Sequence, residues 1–228
     1  MKIVSTPILY TFRRCPFAIR ARAALYFSNT KFEIREIKLN DKPKEMIEVS
    51  KKGTVPVLVL NNKVLDESME IIIWALEYND KLNLLNPYIK KKKETLDLIS
   101  KIDNKFKYHL DRYKYSSRYE KDNHFKGKYI HRNLAESYLL EIENTLYTKK
   151  NTYLFENRIS ILDISIFPLV RQFRTADLEW FKSNPKLTAV NRWLDKITNL
   201  DFFNIIMKKY KPWKKINSPE LFSSNLKI

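Results

Sequence analysis

The chain has 228 residues, of which 44% are hydrophobic and 30% charged, a balance that supports a buried core and argues against disorder. Its only cysteine excludes internal disulfides and Cys-x-x-Cys pairs, and its two glycines exclude glycine-rich phosphate loops and the dinucleotide fingerprint. The formal net charge of +17 is compatible with nucleic acid, an anionic membrane or acidic small ligands. Because the lysines are spread along the chain, we favour compositional drift over a dedicated polyanion site.

The first third alternates short apolar runs with helical patterns. The predicted elements are a strand at 8–12, a helix at 18–27, a strand at 32–37, a short helix at 42–50, a hairpin at 53–65 and a helix at 69–78. Asn61-Asn62 supplies the hairpin turn. A glycine retained at position 53 of a glycine-poor chain indicates a backbone position that other residues do not tolerate.

The remainder reads as helices. A helix is expected from about 88, a polar loop at 114–128, further helices at 134–146 and 164–173 and around Trp193, and an irregular tail at 209–228 held by Trp213 and Phe222. Asn86-Pro87 is a helix start, with Asn86 as the N-cap. Ser160 and Asp163 have the spacing of a capping box, and the apolar helix after them is expected to be buried.

These patterns predict an α/β domain at 1–79 followed by an all-α domain at 88–228, with a linker at 80–87. No apolar run approaches the roughly 18 residues that a membrane span needs. Arginines stand where a signal peptide would have its apolar core, and a lone cysteine fits a reducing compartment. The sequence therefore predicts a cytoplasmic protein without a transmembrane segment.

The most informative stretch is 12–22, which contains the cysteine. Pro16 suits the first position of a helix, which makes Cys15 the expected N-cap. Unsatisfied N–H groups, the positive end of the helix dipole and the charges of Arg13 and Arg14 all favour a thiolate. We therefore expect a reactive sulfur whose pKa lies below the free-thiol value of about 8.5. The alternative is an inert cysteine that packs as a small hydrophobe.

The three histidines offer no convincing metal-ligand spacing. His109, His124 and His131 are therefore expected to have surface roles, and no metal is expected.

Three motifs occur in a characteristic order and spacing. They are Cys15-Pro16-Phe17-Ala18 with Arg20 after it, then Gly53-Thr54-Val55-Pro56-Val57, then Glu67-Ser68. With the capping box in the second half, this set resembles the cytosolic glutathione transferases, and specifically the cysteine-type, omega-like bacterial members. The resemblance implies a thioredoxin-like N-terminal domain followed by an all-helical glutathione-transferase C-terminal domain.

The resemblance also implies a binding site for glutathione as co-substrate. The residues that match its positions are Phe17 beside the thiol, Lys42 at the glycyl carboxylate, Val55 before a cis Pro56, and Glu67 and Ser68 at the γ-glutamyl end. A second site, for a small electrophilic or disulfide substrate, is expected near Tyr108, Arg112 and Tyr115. The alternative for these last residues is that they pack the interface between domains.

Cysteine-type members favour thiol exchange over conjugation. The resemblance therefore implies a thioltransferase or dehydroascorbate reductase in which Cys15 forms a mixed disulfide with glutathione, and a homodimeric assembly. The alternative is a transferase-fold binding or regulatory protein, associated with nucleic acid or membrane, which the basic excess supports. The intact motif set favours the enzyme, and no specific nucleic-acid partner is expected.

Overall fold

The computed structural model describes residues 6–148 and 150–224. The first third alternates strands and helices, as predicted. Its elements are β1 (Ile8–Thr11), α1 (Pro16–Phe27), β2 (Phe32–Glu36), α2 (Lys44–Val49), β3 (Val57–Val59), β4 (Val64–Leu65) and α3 (Ser68–Tyr78). The strand expected from Gly53 begins only at Val57. Gly53 has φ +60°, which is not strand geometry, and Pro56 has no N–H for a ladder.

Helices follow, as predicted, although the helix expected at 134–146 begins at Lys128 and two six-residue helices toward the C-terminus were not predicted. The helices are α4 (Asn86–Lys90), α5 (Lys92–Lys101), α6 (Lys107–Lys114), α7 (Lys128–Thr148), α8 (Ile161–Arg174), α9 (Leu178–Ser183), α10 (Thr188–Thr198) and α11 (Asp201–Ile206), before a last strand β5 (Leu221–Phe222). A π-helical turn at Ile102–Phe106 joins α5 to α6. The N-cap of α4 is Leu85 rather than Asn86, which lies one position inside the helix. No helix of the described residues is long and apolar enough to cross a membrane.

The five strands form one sheet in the order β4-β3-β1-β2-β5. β1 pairs parallel with β2, and the other neighbours are antiparallel. β5 comes from the tail that was expected to be irregular. Phe222 stacks on Phe32 at 4.7 Å between ring centroids, and the Trp213 N–H donates to the Glu36 carbonyl, so the predicted anchoring of the tail is confirmed.

The chain divides into two compact units. One comprises the described residues up to Asn83 together with those from Leu200 onward, and the other is Leu84–Asn199. The predicted boundaries differ from this, because they assign everything from 88 to 228 to the helical half. The C-terminal residues join the first unit because α11 packs on α1 and β5 pairs with β2. Residues 1–5, 149 and 225–228 of the predicted domains lie outside the described part.

Each unit has its own core. In the first unit the half-buried Cys15 packs against a hydrophobic cluster whose buried members are Tyr10, Ala18, Ile37, Met46, Val55 and Val57. In the second unit α8 is buried along most of its length, as its sequence predicts. Phe173 of α8 lies at the centre of an aromatic cluster formed with Phe106, Tyr113, Trp180 and Phe181.

Candidate functional site

Cys15 occupies the turn between β1 and α1 and is the N-cap of α1, with extended backbone (φ −73°, ψ 123°) and Pro16 at the first helical position. Both features were predicted. The Cys15 thiol donates to the Val55 carbonyl oxygen at 3.6 Å between Sγ and O. A sulfur at the N-terminus of a 12-residue helix lies where an anion is stabilised by the helix dipole and by unpaired N–H groups.

The Gly53–Pro56 segment contacts the sulfur through the carbonyl oxygen of Val55. The Val55–Pro56 peptide bond is cis, as the resemblance implied. Gly53 has φ +60°, and a Cβ at this position would lie 3.3 Å from Ile47 Cδ1 and 3.6 Å from Lys42 Nζ. The prediction that other residues are disfavoured here is therefore confirmed, and Lys42 lies beside the segment that approaches Cys15.

Ser68 begins α3 and is held by a buried arginine. Its hydroxyl oxygen accepts from Arg20 Nε at 3.0 Å and from a terminal nitrogen of the same guanidinium at 2.8 Å. The Arg20 guanidinium also lies over the Phe17 ring, 4.8 Å from the centroid. Because a hydroxyl has two acceptor positions and one proton, the Ser68 O–H is left to donate, which suits an anionic ligand group.

Glu67 is the N-cap of α3 and has an exposed side chain. Its carboxylate accepts from Lys52 Nζ at 2.6 Å, and the same ammonium donates to Asp66 at 2.9 Å. These hydrogen bonds raise the pKa of Lys52 and lower the pKa of Asp66. Two carboxyl side chains thus share a single lysine ammonium, and this excess of acceptor groups favours an ammonium group as ligand.

The structure therefore brings Cys15 directly against Val55 and links Phe17 to Ser68 through Arg20. The sequence motif included Arg20 without giving it a role, and nothing distinguished Lys52 from the other lysines of the chain.

The residues expected at a second substrate site belong to the helical unit. The Arg112 guanidinium lies 3.5 Å from the centroid of the Tyr108 ring and forms an ion pair with Asp122. The Tyr115 hydroxyl accepts from Gln172 Nε2 at 3.2 Å. Tyr108, Arg112 and Tyr115 thus have partners within their own unit, and their role in substrate binding stays a prediction.

The expectation of surface roles is wrong for one histidine. His131 is buried, with 1% of its surface exposed, and its Nδ1 lies 2.9 Å from Nδ1 of His109, because α6 and α7 pack side by side. Within residues 6–148 and 150–224 no three His, Cys, Asp or Glu side chains are grouped so that they could hold a metal ion.

Comparison with known proteins gives two family matches. The model of the glutathione S-transferase N-terminal domain matches residues 9–81, and the model of the C-terminal domain matches residues 109–196. Glutathione S-transferase L3 of Arabidopsis thaliana is 26% identical over 204 residues, which cover 86% of this chain and 80% of that protein.

Solved structures show the same fold. A glutathione transferase family member from Pseudomonas fluorescens, with two glutathione bound, matches with a TM-score of 0.74 at 15% identity. The match covers 91% of this chain and 94% of that chain. Glutathione transferase Omega 3C from Trametes versicolor has a TM-score of 0.73 at 15% identity, covering 91% and 90%. The predicted thioredoxin-like first unit and helical second unit are confirmed.

Proposed function

Because the chain belongs to the glutathione S-transferase family, we propose that it is a glutathione-dependent thiol transferase that reacts through the Cys15 thiolate. The observation that carries this proposal is the position of the sulfur. Cys15 is the N-cap of α1, is only half-buried, and contacts the carbonyl of Val55 beside the cis Pro56. A nucleophilic sulfur needs both stabilisation of its charge, which the N-terminus of α1 supports, and access for its partner, which its partial exposure supports.

In the first step the Cys15 thiolate attacks the glutathione sulfur of a glutathionylated substrate. The substrate S–S bond breaks, a Cys15–glutathione disulfide forms, and the substrate sulfur leaves as a thiolate with the electron pair of the broken bond. In the second step the thiolate of a free glutathione attacks the glutathione sulfur of this mixed disulfide. Oxidised glutathione leaves and the Cys15 thiolate returns. The chain contains no second cysteine that could resolve the intermediate.

For the glutathione site we propose the residues that surround this sulfur. The Val55 backbone would pair with the main chain of the tripeptide, and Phe17 would lie beside the thiol. Glu67 would accept from the γ-glutamyl ammonium, while Ser68 and the N–H groups at the start of α3 would hold its carboxylate. The Lys42 ammonium, 3.6 Å from the Cβ position of Gly53, supports a contact with the glycyl carboxylate.

We also propose a small electrophilic or disulfide substrate, thioltransferase or dehydroascorbate-reductase-like chemistry, a cytoplasmic location and a homodimer with two-fold symmetry. Such a dimer is testable by light scattering at physiological salt. A mass of about 27 kDa, that of the 27.4 kDa chain alone, at all micromolar concentrations would reject it.

The experiment that tests the thiol chemistry is intact-mass measurement after incubation with oxidised glutathione. We expect the mass to increase by one glutathionyl group, and the original mass to return when reduced glutathione is added. Because Cys15 is the only thiol of the chain, Cys15→Ser is the matched control and should show no adduct. Absence of the adduct from the wild-type protein under these conditions would overturn the proposal.

A further inference from the structure

Two charged side chains of the first unit hold the peptide groups on both sides of Arg13, two positions before Cys15. The Arg13 N–H donates to Glu36 Oε1 at 2.7 Å. The Arg13 carbonyl accepts from Arg22 at 2.9 Å, and the second terminal nitrogen of Arg22 donates to the Thr11 hydroxyl at 2.6 Å. The turn that leads to Cys15 is thus bound by an anion at one peptide group and by a cation at the next.

Both side chains are buried, which makes this arrangement costly. Arg22 is 1% and Glu36 8% exposed. Burial lowers the pKa of Arg22 to about 10 and raises the pKa of Glu36, and in each case the opposite charge of the other side chain partly offsets the effect. Arg22 Nε and Glu36 Oε2 have no hydrogen-bond partner within the described residues. A neutral acceptor and a neutral donor could satisfy the Arg13 peptide groups without burying two charges, so the need to satisfy these groups does not by itself account for the charged pair.

The segment after α11 covers the pair. Met207 Sδ lies 3.9 Å from a terminal nitrogen of Arg22. The backbone N–H of Trp213 donates to the backbone carbonyl of Glu36 at 2.7 Å. Burial raises the pKa of Tyr210 in the same segment, and the charge of Arg22 opposes this effect. Covering by this segment keeps the pair away from water, which strengthens the interaction of each charge with the peptide groups it holds.

We propose that Arg22 and Glu36 are positioning residues for Cys15. They fix the turn between Thr11 and Cys15, and so direct the sulfur toward the Val55 loop, while the positive charge of Arg22, bound to the Arg13 carbonyl two residues before Cys15, favours the thiolate form. This inference rests on the proposed function only in that it takes Cys15 as the reacting group.

The lone cysteine makes the test direct, because every thiol reaction of the protein reports on this position. The rate of alkylation by iodoacetamide, measured against pH, reports the charge at the sulfur and uses no glutathione. The rate of mixed-disulfide formation with oxidised glutathione reports orientation, because the attacking sulfur must lie in line with the S–S bond. Both rates are measured well below the unfolding temperature of each variant.

For the charge, we expect Arg22→Met to move the midpoint of the alkylation profile upward by about one pH unit, and Arg22→Lys to restore most of that shift. Arg174→Met is the matched control, since Arg174 forms an ion pair with Asp195 in the helical unit. The control should change the unfolding temperature and leave the midpoint unchanged.

For the orientation, we expect Glu36→Leu to slow disulfide formation about tenfold, because the Arg13 N–H loses its acceptor. Glu36→Gln keeps an acceptor oxygen and should react within about twofold of the wild type. If Glu36 contributed only to stability, the two variants would differ in unfolding temperature and would form the mixed disulfide at the same rate.

The proposal is overturned if the Arg22→Met midpoint equals that of the wild type, or if Glu36→Leu and Glu36→Gln react equally fast. Should Arg22→Met fail to fold, the two Glu36 variants and Arg22→Lys decide the question. A different outcome would contradict the proposed function: if the wild-type alkylation rate rises tenfold per pH unit up to pH 8.5, Cys15 is an ordinary thiol rather than a thiolate at neutral pH. Even then, an effect of these variants on either rate would still support their role in positioning Cys15.

Discussion

At the scale of single residues, Glu67 of the proposed glutathione site already has a partner in the free protein. Its carboxylate is paired with Lys52, and both side chains are largely exposed. Exposed ion pairs contribute little to stability because water screens them, so a ligand ammonium can join or replace Lys52 at low cost. The pair therefore does not argue against a binding role for Glu67.

We expect Glu67→Ala to weaken glutathione binding by about 1.5–3 kcal/mol, the range for a hydrogen bond to a charged group. Titration calorimetry on the reduced protein measures this directly. Glu70→Ala is the matched control, since Glu70 lies in the same first turn of α3 and has no proposed ligand contact. Equal affinities for Glu67→Ala and the wild type would remove Glu67 from the site.

The residues of the candidate site differ in how far the sequence reveals them. Cys15 at a helix start and Gly53 at a left-handed position depend on local chemistry, which a motif displays. Arg20 donates to Ser68, 48 positions away, and Lys52 donates to Glu67, 15 positions away. Such partners depend on how distant segments meet, and no local pattern encodes that.

At the scale of elements, the start of α8 is fixed by one buried carboxylate. Asp163 accepts from the backbone N–H and hydroxyl of Ser160, completing the predicted capping box. It also accepts from the Leu154 N–H at 2.9 Å and from the Trp193 indole at 2.8 Å. Asp163 thus ties the helix it begins to the preceding loop and to α10.

We expect Asp163→Ala to lower the free energy of unfolding by about 3–5 kcal/mol, because a cap is lost and buried donors are left unpaired. Urea denaturation measures the loss. Asp177→Ala, at the N-cap of α9, removes a cap without buried partners and should cost only about 1 kcal/mol. Similar losses for the two variants would show that the additional contacts of Asp163 contribute little.

The histidine pair joins α6 to the first turns of α7. His131 Nε2 accepts from the Lys126 N–H at 3.2 Å, so in the neutral ring the proton lies on Nδ1 and is donated to His109 Nδ1. A second proton on either ring would place two donors against each other or remove the acceptor for Lys126. Burial lowers the pKa of both histidines, and the charges of Arg112 and Lys126 add to this, whereas Asp122 opposes it at His131.

We therefore expect stability to fall as the pH drops below about 6.5, because the unfolded chain then binds more protons than the native state. The raised pKa of Asp163, about 6, acts in the opposite direction over part of this range. Urea denaturation at several pH values should consequently compare the wild type with His109→Gln/His131→Gln, in which the Asp163 contribution is unchanged. Parallel stability curves for the two proteins would contradict the expectation.

Long helices were predictable, and so were short elements with a turn or proline signal, such as the hairpin of β3 and β4, whereas short elements without such a signal were not. α1, α3 and α8 carry enough residues to show a pattern, whereas α9 and α11 have six residues each and β5 has two. β5 exists because the edge of β2 offers unpaired backbone groups to the tail, which is a property of the assembled sheet.

At the scale of the whole molecule, the net positive charge is divided almost equally between the two units. The chain up to Asn83 together with the part from Leu200 carries 20 basic and 12 acidic residues, and the part between carries 23 and 14. The net charges are thus +8 and +9. An even division of this kind is typical of compositional drift rather than of one dedicated polyanion surface.

Under this interpretation duplex DNA should bind weakly, with a dissociation constant of about 10⁻⁴–10⁻⁶ M at physiological salt, because only phosphate contacts contribute. Fluorescence anisotropy with two unrelated duplexes should give equal affinities, and log affinity should fall linearly with log salt concentration, since each neutralised phosphate releases counterions. Replacing the four consecutive lysines at 90–93 by glutamine provides the control: it should flatten the salt slope slightly for both duplexes and leave glutathione chemistry unchanged. Nanomolar affinity for one duplex over the other at physiological salt would overturn the interpretation, since specific recognition needs contacts to base edges that drift in charge does not supply.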